Sequence, residues 1–336
     1  MVPLQLNPVS RSSGAEVKRL FDQYKYKDYQ LKKLSISKST MVDWLVNNLQ
    51  QKHLQTFYLK NSGRVSGLLS ARHQPWISKM LNLRSMCLVH FLASGQDPLL
   101  LKQLLEKFFS ETQGFDFLSC RLPSGDVNAV NVLEDYGFHF VGNEVFMALD
   151  MKNYQEYENE DLHGFQRCPA HLWPQVIELI EKVHIHNRYM NDGRISNNKV
   201  RQIYKSYIDE FGAKRPYRQI IYKEDDHVLG FIVYKFNRDL SRFVGRNYAS
   251  LDFIGVDTEV RSKGIGYLLN MAALRDLAAE GADHVVVRTL GSNLPALRIL
   301  SKAGFEVSST DCQFHYWSPA QIGTENFYRE KVLPKA

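Results

Sequence analysis

The sequence has few cysteines, and they are widely spaced. Four occur among 336 residues, at Cys87, Cys120, Cys168 and Cys312. Because no two of them are close in sequence, a zinc knuckle and a CxxC redox pair are both excluded. We expect four free thiols in a protein that works in a reducing compartment.

Long apolar runs are also lacking. No apolar run reaches the roughly 18 residues that suggest a membrane-spanning helix. The first residues do not combine a charged segment with a following apolar segment, as a secretory signal would. We therefore expect a cytoplasmic protein without membrane insertion.

Basic residues outnumber acidic ones but form no cluster. The formal net charge is +6, and no Lys/Arg run of about five to eight residues occurs. A dispersed positive charge suits an anionic small ligand, such as a coenzyme or a nucleotide sugar, better than nucleic acid. We expect no nucleic-acid partner.

Strands and helices are predicted to alternate in both halves of the chain. Short apolar runs bounded by turn residues predict strands, and amphipathic stretches between them predict helices. This order is typical of an α/β fold with a mixed sheet. A polar, charged stretch at 152–168 indicates a linker, so we predict domains at 1–155 and 165–320 and a C-terminal tail at 321–336.

One spacing of residues occurs in both halves. The two stretches are Asp126-x-x-Ala129-x-x-x-Leu133-x-x-x-Gly137-Phe138 and Asn293-x-x-Ala296-x-x-x-Leu300-x-x-x-Gly304-Phe305. A strand is predicted before each helix and another after each Gly-Phe pair. Any helix can stop at a glycine C-cap that an aromatic residue follows, but spacing and flanking elements both agree. The pattern therefore favours duplication of one fold.

The most informative stretch for chemistry lies between residues 251 and 269. A predicted strand leads into Arg261-Ser262-Lys263-Gly264-Ile265-Gly266, and an apolar helix follows. Glycine has no Cβ, so the backbone N–H groups of this turn can approach a ligand closely. They lie at a helix N-terminus, where anions are favoured. The turn predicts a pyrophosphate site, to which Lys263 adds positive charge.

The Arg-x-x-Gly-x-Gly turn, together with Asn293 and the later Gly304-Phe305, resembles the GNAT superfamily of N-acetyltransferases. The resemblance implies tandem α/β domains of the GNAT type and acetyl-CoA as co-substrate, with no metal. It also implies a strand that splays from its neighbour and pairs with the pantetheine arm. The coenzyme-binding residues implied are Phe253, Ile254, Val256, Arg261, Lys263, Gly264, Ile265, Gly266 and Asn293.

The first half lacks this turn. Between its third predicted strand and the next helix stands Ala93-Ser94-Gly95-Gln96-Asp97-Pro98, with a single glycine. This half resembles a degenerate GNAT domain without the coenzyme motif. We therefore expect acetyl-CoA to bind only the second half, and the first half to have a structural or substrate-covering role.

A further resemblance concerns the acceptor. The segment His186-Asn187-Arg188-Tyr189-x-x-Asp192 and the helix after it resemble the acceptor side of the bacterial TDP-fucosamine acetyltransferases. Those enzymes acetylate the 4-amino group of dTDP-4-amino-4,6-dideoxygalactose. The resemblance implies Arg188, Tyr189, Asp192 and Tyr204 as substrate-binding residues. In the alternative interpretation, Arg188 and Tyr189 only cap a helix and fill a groove.

The residue that protonates the leaving thiolate is not evident. Many members of the superfamily have a tyrosine at the position of Leu300, and leucine has no proton to donate. Tyr267, Tyr316 or a water molecule would have to replace it, or the thiolate leaves unassisted.

Asp252 is the predicted catalytic base, because an amine must lose a proton to a carboxylate, a histidine or a water molecule. On a regularly alternating strand its side chain shares a side with those of Ser250, Ile254 and Val256. In the alternative interpretation, Asp252 is a solvated or hydrogen-bonded strand residue without a catalytic role.

The sequence thus predicts an acetyl-CoA-dependent N-acetyltransferase in which an amine attacks the thioester directly. The expected acceptor is a small-molecule amine, the amino group of a nucleotide-linked amino sugar. A protein, a peptide or another small amine is the alternative acceptor. A non-catalytic acyl-CoA-binding regulator is the alternative outside the enzyme class, and Leu300 keeps it open. The oligomeric state is also open, with a homodimer as one option.

Overall fold

The computed structural model of the protein describes residues 11–155, 162–183, 186–212, 216–260 and 262–319. Arg261 and the predicted tail at 321–336 lie outside the described residues. The described chain divides into two compact units. The first contains the residues up to Asn143, Asp192–Arg194 and those from Thr310 onwards, and the second contains Glu144–Asn191 and Ile195–Ser309.

Helices and strands alternate in both units. The described helices are α1 (Arg11–Gln23), α2 (Asp28–Lys33), α3 (Lys38–Asn48), α4 (Pro75–Leu81), α5 (Pro98–Glu111), α6 (Val127–Asp135), α7 (Trp173–Leu179), α8 (Arg188–Asn191), α9 (Asn197–Gly212), α10 (Arg238–Val244), α11 (Ile265–Ala279) and α12 (Leu294–Lys302). The described strands are β1 (Leu54–Asn61), β2 (Arg64–His73), β3 (Ser85–Ala93), β4 (Phe117–Pro123), β5 (His139–Asp150), β6 (Phe165–Arg167), β7 (Tyr217–Glu224), β8 (His227–Phe236), β9 (Tyr248–Val256), β10 (His284–Leu290) and β11 (Glu306–Trp317).

The sheet of the first unit has the strand order β1-β2-β3-β4-β11. Its strands are antiparallel except β3 and β4, which are parallel. Leu101, Leu104 and Phe108 of α5 pack with α6 in one hydrophobic core. Val17 and Leu20 of α1 belong to a second core that includes residues of α3 and β2.

The sheet of the second unit has the strand order β6-β7-β8-β9-β10-β5. Only β9 and β10 are parallel neighbours. Residues of α11 and α12 pack in the core on one face, which we call the α11 core. Residues of α7 and α9 pack in the core on the other face, which we call the α9 core. Each face of the sheet is thus covered by helices, as expected for strands that are apolar on both sides.

The last strand of each half pairs with a strand of the other half. β5 follows α6 in the chain, yet its Glu144–Asp150 segment pairs with β10 in the second unit. β11 follows α12, yet its Asp311–Trp317 segment pairs with β4 in the first unit. The two compact units divide the chain at Asn143/Glu144 and Ser309/Thr310, and the short segment Asp192–Arg194 also belongs to the first unit. The domain bounds expected from the sequence stay a prediction.

The predicted α/β class with a mixed sheet is confirmed, and both units show the same local pattern. β3 in the first unit corresponds to β9 in the second. Each of the two has an antiparallel neighbour on one side and a parallel neighbour on the other. Each of these strands also contains a bulge against its antiparallel neighbour. The repeated topology supports the interpretation that one fold is duplicated. Within the described residues, no helix is long and apolar enough to cross a membrane.

Candidate active site

β9 and β10 form the candidate site because these parallel strands separate part of the way along. Their pairing starts at His284↔Tyr248 and ends at Val287↔Leu251. β9 nevertheless continues to Val256 and β10 to Leu290. Beyond Leu251 the two strands no longer pair with each other, so this edge of β9 can bond an extended ligand arm. The geometry matches the splayed strand that the resemblance implies.

The predicted anion-binding turn lies between β9 and α11. Ser262 and Gly264 have φ angles of 66° and 80°, in the left-handed region that glycine enters without strain. Gly264 is the N-cap of α11, and within the described part of the chain no side chain caps this helix end. The N–H groups of Ile265 and Gly266 therefore stand at a helix N-terminus without a capping side chain, which is the arrangement that binds anions.

Asn293 holds the start of α12 close to the splayed end of β10. Its Oδ1 accepts a hydrogen bond from the backbone N–H of Ala296, with an N–O distance of 3.4 Å. Its Nδ2 donates to the hydroxyl of Thr289 on β10 at 3.1 Å. The side chain is thus fixed between the helix and the strand that bounds the splay.

Asp252 lies at the bulge in β9. Leu251 is opposite Tyr234 on β8, and Phe253 is opposite Val233. Two consecutive residues of β8 therefore face residues of β9 that are two apart, and Asp252 is the extra one. A bulge changes the direction of the following side chains.

The bulge makes one expectation about Asp252 wrong. Leu251 before the bulge packs in the α11 core, and Ile254 and Val256 after it pack against the same core. Phe253 packs against the α9 core. The Asp252 carboxylate bonds the hydroxyl of Ser250, on the side opposite Leu251. Asp252 does not share a side with Ile254 and Val256, because strict alternation stops at the bulge.

Both carboxylate oxygens of Asp252 are engaged. Oδ1 accepts from the Ser250 hydroxyl at 2.6 Å, and Oδ2 lies 2.8 Å from Nζ of Lys235. Burial alone would lower the pKa of Lys235, but the charge and hydrogen bond of Asp252, with a hydrogen bond to Tyr217, raise it. Asp252 is therefore held in an ion pair beside the splay, and the hydrogen-bonded interpretation of this residue gains support.

The two tyrosines that could protonate the thiolate, Tyr267 and Tyr316, lie in different units, and Leu300 occupies the position where many family members have a tyrosine. Leu300 is 4% exposed in the α11 core. Tyr267 is on α11, with Nζ of Lys302 at 4.1 Å from its ring centroid. Tyr316 is in the first unit, where its ring centroid lies 5.2 Å from that of Phe109 and burial raises its pKa. Of the two tyrosines, Tyr267 is the one that shares a unit with the coenzyme turn.

Three of the predicted acceptor residues come together. The Arg188 guanidinium lies 4.9 Å from the ring centroid of Tyr189, and its Nη2 donates to the Tyr189 hydroxyl at 3.0 Å. The Tyr204 ring lies 5.4 Å from that of Phe253 on the splayed part of β9. Burial raises the pKa of Tyr204, as do the neighbouring Tyr189 and Glu144, whereas the positive charge of Arg188 lowers it.

Sequence reasoning missed two members of this group, Glu144 and Arg288. Glu144 Oε2 lies 2.9 Å from Nη1 of Arg288. No local motif could have shown the pair, because the two residues come from opposite halves of the chain. We call the set Arg188, Tyr189, Tyr204, Phe253, Glu144 and Arg288 the acceptor-face cluster.

Asp192, the fourth predicted acceptor residue, belongs to the first unit and is 6% exposed. Its Oδ2 accepts from Nδ1 of His315 at 2.7 Å and from Nε1 of Trp317 at 3.0 Å. Its Oδ1 accepts from the backbone N–H of Arg194 at 3.0 Å. These bonds describe a buried structural link between the segment after α8 and β11.

In the first unit, the parallel strands β3 and β4 also separate part of the way along, but the segment after β3 lacks the Arg-x-x-Gly-x-Gly sequence. β3 pairs with β4 from Ser85↔Phe117 to Cys87↔Ser119, although β3 continues to Ala93. At the start of α5, Asp97 caps the helix by accepting from the N–H of Leu99 at 2.8 Å. A carboxylate thus caps the start of α5, whereas the start of α11, the corresponding helix of the second unit, has the glycine Gly264 as its N-cap.

Side chains of the first unit also bridge its splay. Gln96 Oε1 accepts from the Ala93 N–H at 2.7 Å, and Gln96 Nε2 donates to the carboxylate of Asp126. The hydroxyl of Tyr24 donates to the same carboxylate at 2.9 Å. Asp126 is the residue that matches Asn293 in the repeated spacing. In the first unit this side chain bonds Gln96 and Tyr24.

Comparison with known proteins gives one family and several relatives. Residues 183–305 match the model of the acetyltransferase (GNAT) family. The chain is 36% identical over 74 residues to a mycothiol acetyltransferase from Saccharomonospora viridis, an alignment that covers 22% of this chain and 24% of that protein. The chain therefore spans about a quarter of that relative's length.

Two further relatives align over most of the chain. The spore coat polysaccharide biosynthesis protein SpsD of Bacillus subtilis is 23% identical over 264 residues, covering 77% of this chain and 86% of SpsD. The solved structure of a GCN5-related N-acetyltransferase from Sphaerobacter thermophilus aligns with a TM-score of 0.59 at 12% identity, covering 91% of this chain and 93% of that one. The second similarity shows the fold.

Proposed function

Residues 183–305 form an acetyltransferase domain of the GNAT family, and we propose that the protein is an acetyl-CoA-dependent N-acetyltransferase that acts on a nucleotide-linked amino sugar. The observation that carries the coenzyme part is the splay of β9 from β10 beside the uncapped start of α11. Members of this family generally use acetyl-CoA. The residues present fit that group, because an extended strand edge and an anion-binding helix end lie next to each other.

In this proposal, backbone groups of Phe253, Ile254 and Val256 bind the pantetheine arm. Arg261, Lys263 and the N–H groups of Gly264, Ile265 and Gly266 hold the pyrophosphate. Asn293 meets the pantetheine end. The coenzyme supplies an activated acetyl group, and the chain positions it against the acceptor.

The first unit is proposed to bind no acetyl-CoA. Its helix end carries the Asp97 carboxylate, which repels a pyrophosphate, and Gln96 bridges its splay to Asp126. In our proposal the role of this unit is to support the fold.

The reaction proposed is direct transfer. The amine nitrogen attacks the thioester carbonyl carbon and forms the C–N bond. The C–S bond then breaks, and its electron pair leaves with the thiolate sulfur. No covalent acyl-enzyme is needed, so the chain must orient the two substrates and accept a proton from nitrogen.

The amino-sugar acceptor is supported by the chemistry of the acceptor-face cluster. Arginine can bond a diphosphate through its planar fork of donors, and tyrosine rings can stack on a nucleobase or a sugar. Arg188, Tyr189 and Tyr204 provide these groups beside the splay. A relative that aligns over 86% of its length is named for polysaccharide biosynthesis, which also supports a sugar acceptor.

Arg188→Ala should raise KM for the nucleotide sugar about tenfold and leave acetyl-CoA affinity unchanged, the pattern of lost ground-state binding. Steady-state kinetics with dTDP-4-amino-4,6-dideoxygalactose and calorimetry with acetyl-CoA check this. Arg242→Ala, at an exposed position on α10, is the matched control. A lower melting temperature for Arg188→Ala without a selective KM effect would instead assign Arg188 to helix capping.

Leu300→Tyr should lower the free energy of unfolding, because overfilling a packed core costs about 1–3 kcal/mol and Leu300 is 4% exposed. Thermal unfolding measures the loss, and Leu300→Met, which conserves volume, should have a smaller effect. A large gain in kcat for the folded Leu300→Tyr protein would show that a hydroxyl at this position reaches the thiolate. An unchanged melting temperature would contradict the packing argument.

Thiol release from acetyl-CoA, measured against a panel of amino-sugar nucleotides, peptides and polyamines, tests the function as a whole. We expect turnover with TDP- or UDP-linked amino sugars. If peptides or polyamines are acetylated efficiently and every nucleotide sugar is ignored, the sugar proposal is wrong and the alternative acceptors stand. A protein that binds acetyl-CoA but releases no thiol with any amine supports the non-catalytic alternative. The cytoplasmic location and the oligomeric state stay predictions.

A further inference from the structure

Glu144 is a nearly buried carboxylate on the side of the sheet where the acceptor residues lie. Its side chain is 10% exposed. Val145 and Met147 pack in the α11 core, and side chains alternate along a strand, so Glu144 and Phe146 point to the opposite face. Glu144 starts the part of β5 that pairs with β10, opposite Leu290.

Arg288 connects this carboxylate to the splay. It follows Val287, the last residue of β10 that pairs with β9. Its Nη1 lies 2.9 Å from Glu144 Oε2, and its guanidinium carbon lies 4.4 Å from the ring centroid of Phe146. A charge-assisted hydrogen bond of this kind fixes the direction of the carboxylate. Neighbouring strands are about 4.8 Å apart, so Glu144 stands one strand from the opened edge of β10.

Tyr204 connects the carboxylate to the predicted acceptor residues. The charge of Glu144 acts on the Tyr204 hydroxyl, as do Tyr189 and Arg188. The Tyr204 ring in turn packs on Phe253, in the splayed part of β9. A negative group, the splayed strand and the predicted sugar-binding side chains are therefore neighbours on one face of the second unit.

We propose that Glu144 is the general base that takes the proton from the acceptor amine. The proposal rests on the acetyltransferase function proposed above. A carboxylate at this place attracts a protonated amine, and its oxygen lone pairs can accept a proton. Asp252 is another carboxylate beside the splay, where it bonds Ser250 and Lys235.

The protons balance as follows. The protonated amine first gives one proton to an oxygen of Glu144. The nitrogen lone pair then forms the bond to the thioester carbonyl carbon, and the C–S bond breaks with its electron pair on sulfur. The second N–H proton reaches the thiolate through water, and Glu144 releases its proton to solvent. The products are the amide, the CoA thiol and one proton released.

Glu144→Gln tests this role, because the amide keeps the shape of the side chain but cannot take a proton. Kinetics with dTDP-4-amino-4,6-dideoxygalactose, or with the amine that the panel selects, should show kcat reduced about 100-fold or more, within the usual range of general base catalysis. Acetyl-CoA affinity should stay unchanged. The variant's rate should keep rising at alkaline pH, as the fraction of neutral amine grows, where the wild-type rate has levelled off.

Glu144→Asp and Glu178→Gln complete the design. Glu144→Asp keeps a carboxylate at a shifted position, so it should recover part of kcat and the wild-type pH profile. Glu178→Gln removes an exposed carboxylate of α7 and should behave as wild type. Both Glu144 variants weaken the ion pair with Arg288. If Glu144 has only a structural role, both variants should therefore lose kcat equally and keep the wild-type pH profile.

The outcomes separate the two proposals. If the wild type acetylates an amine and Glu144→Gln has the wild-type kcat and pH profile, Glu144 is not the base and the acetyltransferase function stands. If Asp252→Asn changes the pH profile and Glu144→Gln does not, Asp252 is the base. If the wild type binds acetyl-CoA and acetylates no amine, the function falls and this role falls with it.

Discussion

Gly266→Asp should weaken acetyl-CoA binding at least tenfold, which corresponds to about 1.4 kcal/mol. The change places a negative charge in the first turn of α11, where the proposal puts the pyrophosphate. It also adds a Cβ that would come within 3.3 Å of Cδ1 of Ile299. Isothermal calorimetry on the full chain measures the affinity, and circular dichroism checks that the variant is folded.

Two control variants show whether the loss of affinity comes from the added charge or from the added size, and whether it is specific to the second unit. Gly266→Ala adds the Cβ without the charge, and the end of the Ile299 side chain can move, so a smaller loss is expected. Gly95→Asp adds the same charge in the first unit, at a residue with φ of 63° and no atom within 4 Å of the added Cβ. Aspartate tolerates that conformation better than most residues, and acetyl-CoA affinity should not change. Unchanged affinity in a folded Gly266→Asp protein would overturn the coenzyme site.

Asp192→Ala should lower the free energy of unfolding by about 3 kcal/mol, since hydrogen bonds to a charged group contribute about 1.5–3 kcal/mol each. The substitution removes the buried acceptor that bonds His315, Trp317 and the backbone of Arg194. Chemical denaturation followed by tryptophan fluorescence measures the loss. Asp192→Asn keeps one acceptor oxygen and should lose less.

The pH dependence of stability gives a second measurement on Asp192. Burial acts to raise its pKa, but the hydrogen bond and charge of His315, with the bonds from Arg194 and Trp317, hold it below the ordinary 3.8. A carboxyl whose pKa is lower in the folded state stabilises fully above its unfolded pKa, and that contribution disappears as the pH falls through the folded pKa. The difference between wild type and Asp192→Asn should therefore shrink in strong acid.

These measurements also decide between two roles for Asp192. The resemblance assigned it to the acceptor, and the structure gives its carboxylate three partners within the first unit. If Asp192→Asn raises KM for the nucleotide sugar at unchanged stability, the acceptor role is supported. A loss of stability at unchanged KM identifies a structural link.

Much of the coenzyme site could be predicted because it is local. The turn before α11 is specified by residues next to one another, since Gly264 takes a left-handed conformation and the helix that follows presents its N–H groups. The splay of β9 was implied by family resemblance, and the register with β10 agrees with it. Asp252 was predicted on the wrong side relative to Ile254, because a bulge depends on the pairing with β8 and not on the alternation of residues in β9.

The sequence by itself determined the α/β class, the repeated spacing of the two halves and the anion-binding turn. These features follow from φ preferences and hydrophobic periodicity, which act over a few residues. Only the tertiary structure decided that β5 pairs with β10 and β11 with β4, and so brought Glu144 to Arg288 and Asp192 to His315. The physical reason is that the backbone of a strand can form hydrogen bonds with almost any neighbouring strand. Which strand it pairs with, and in which register, depends on how the side chains of the complete chain pack.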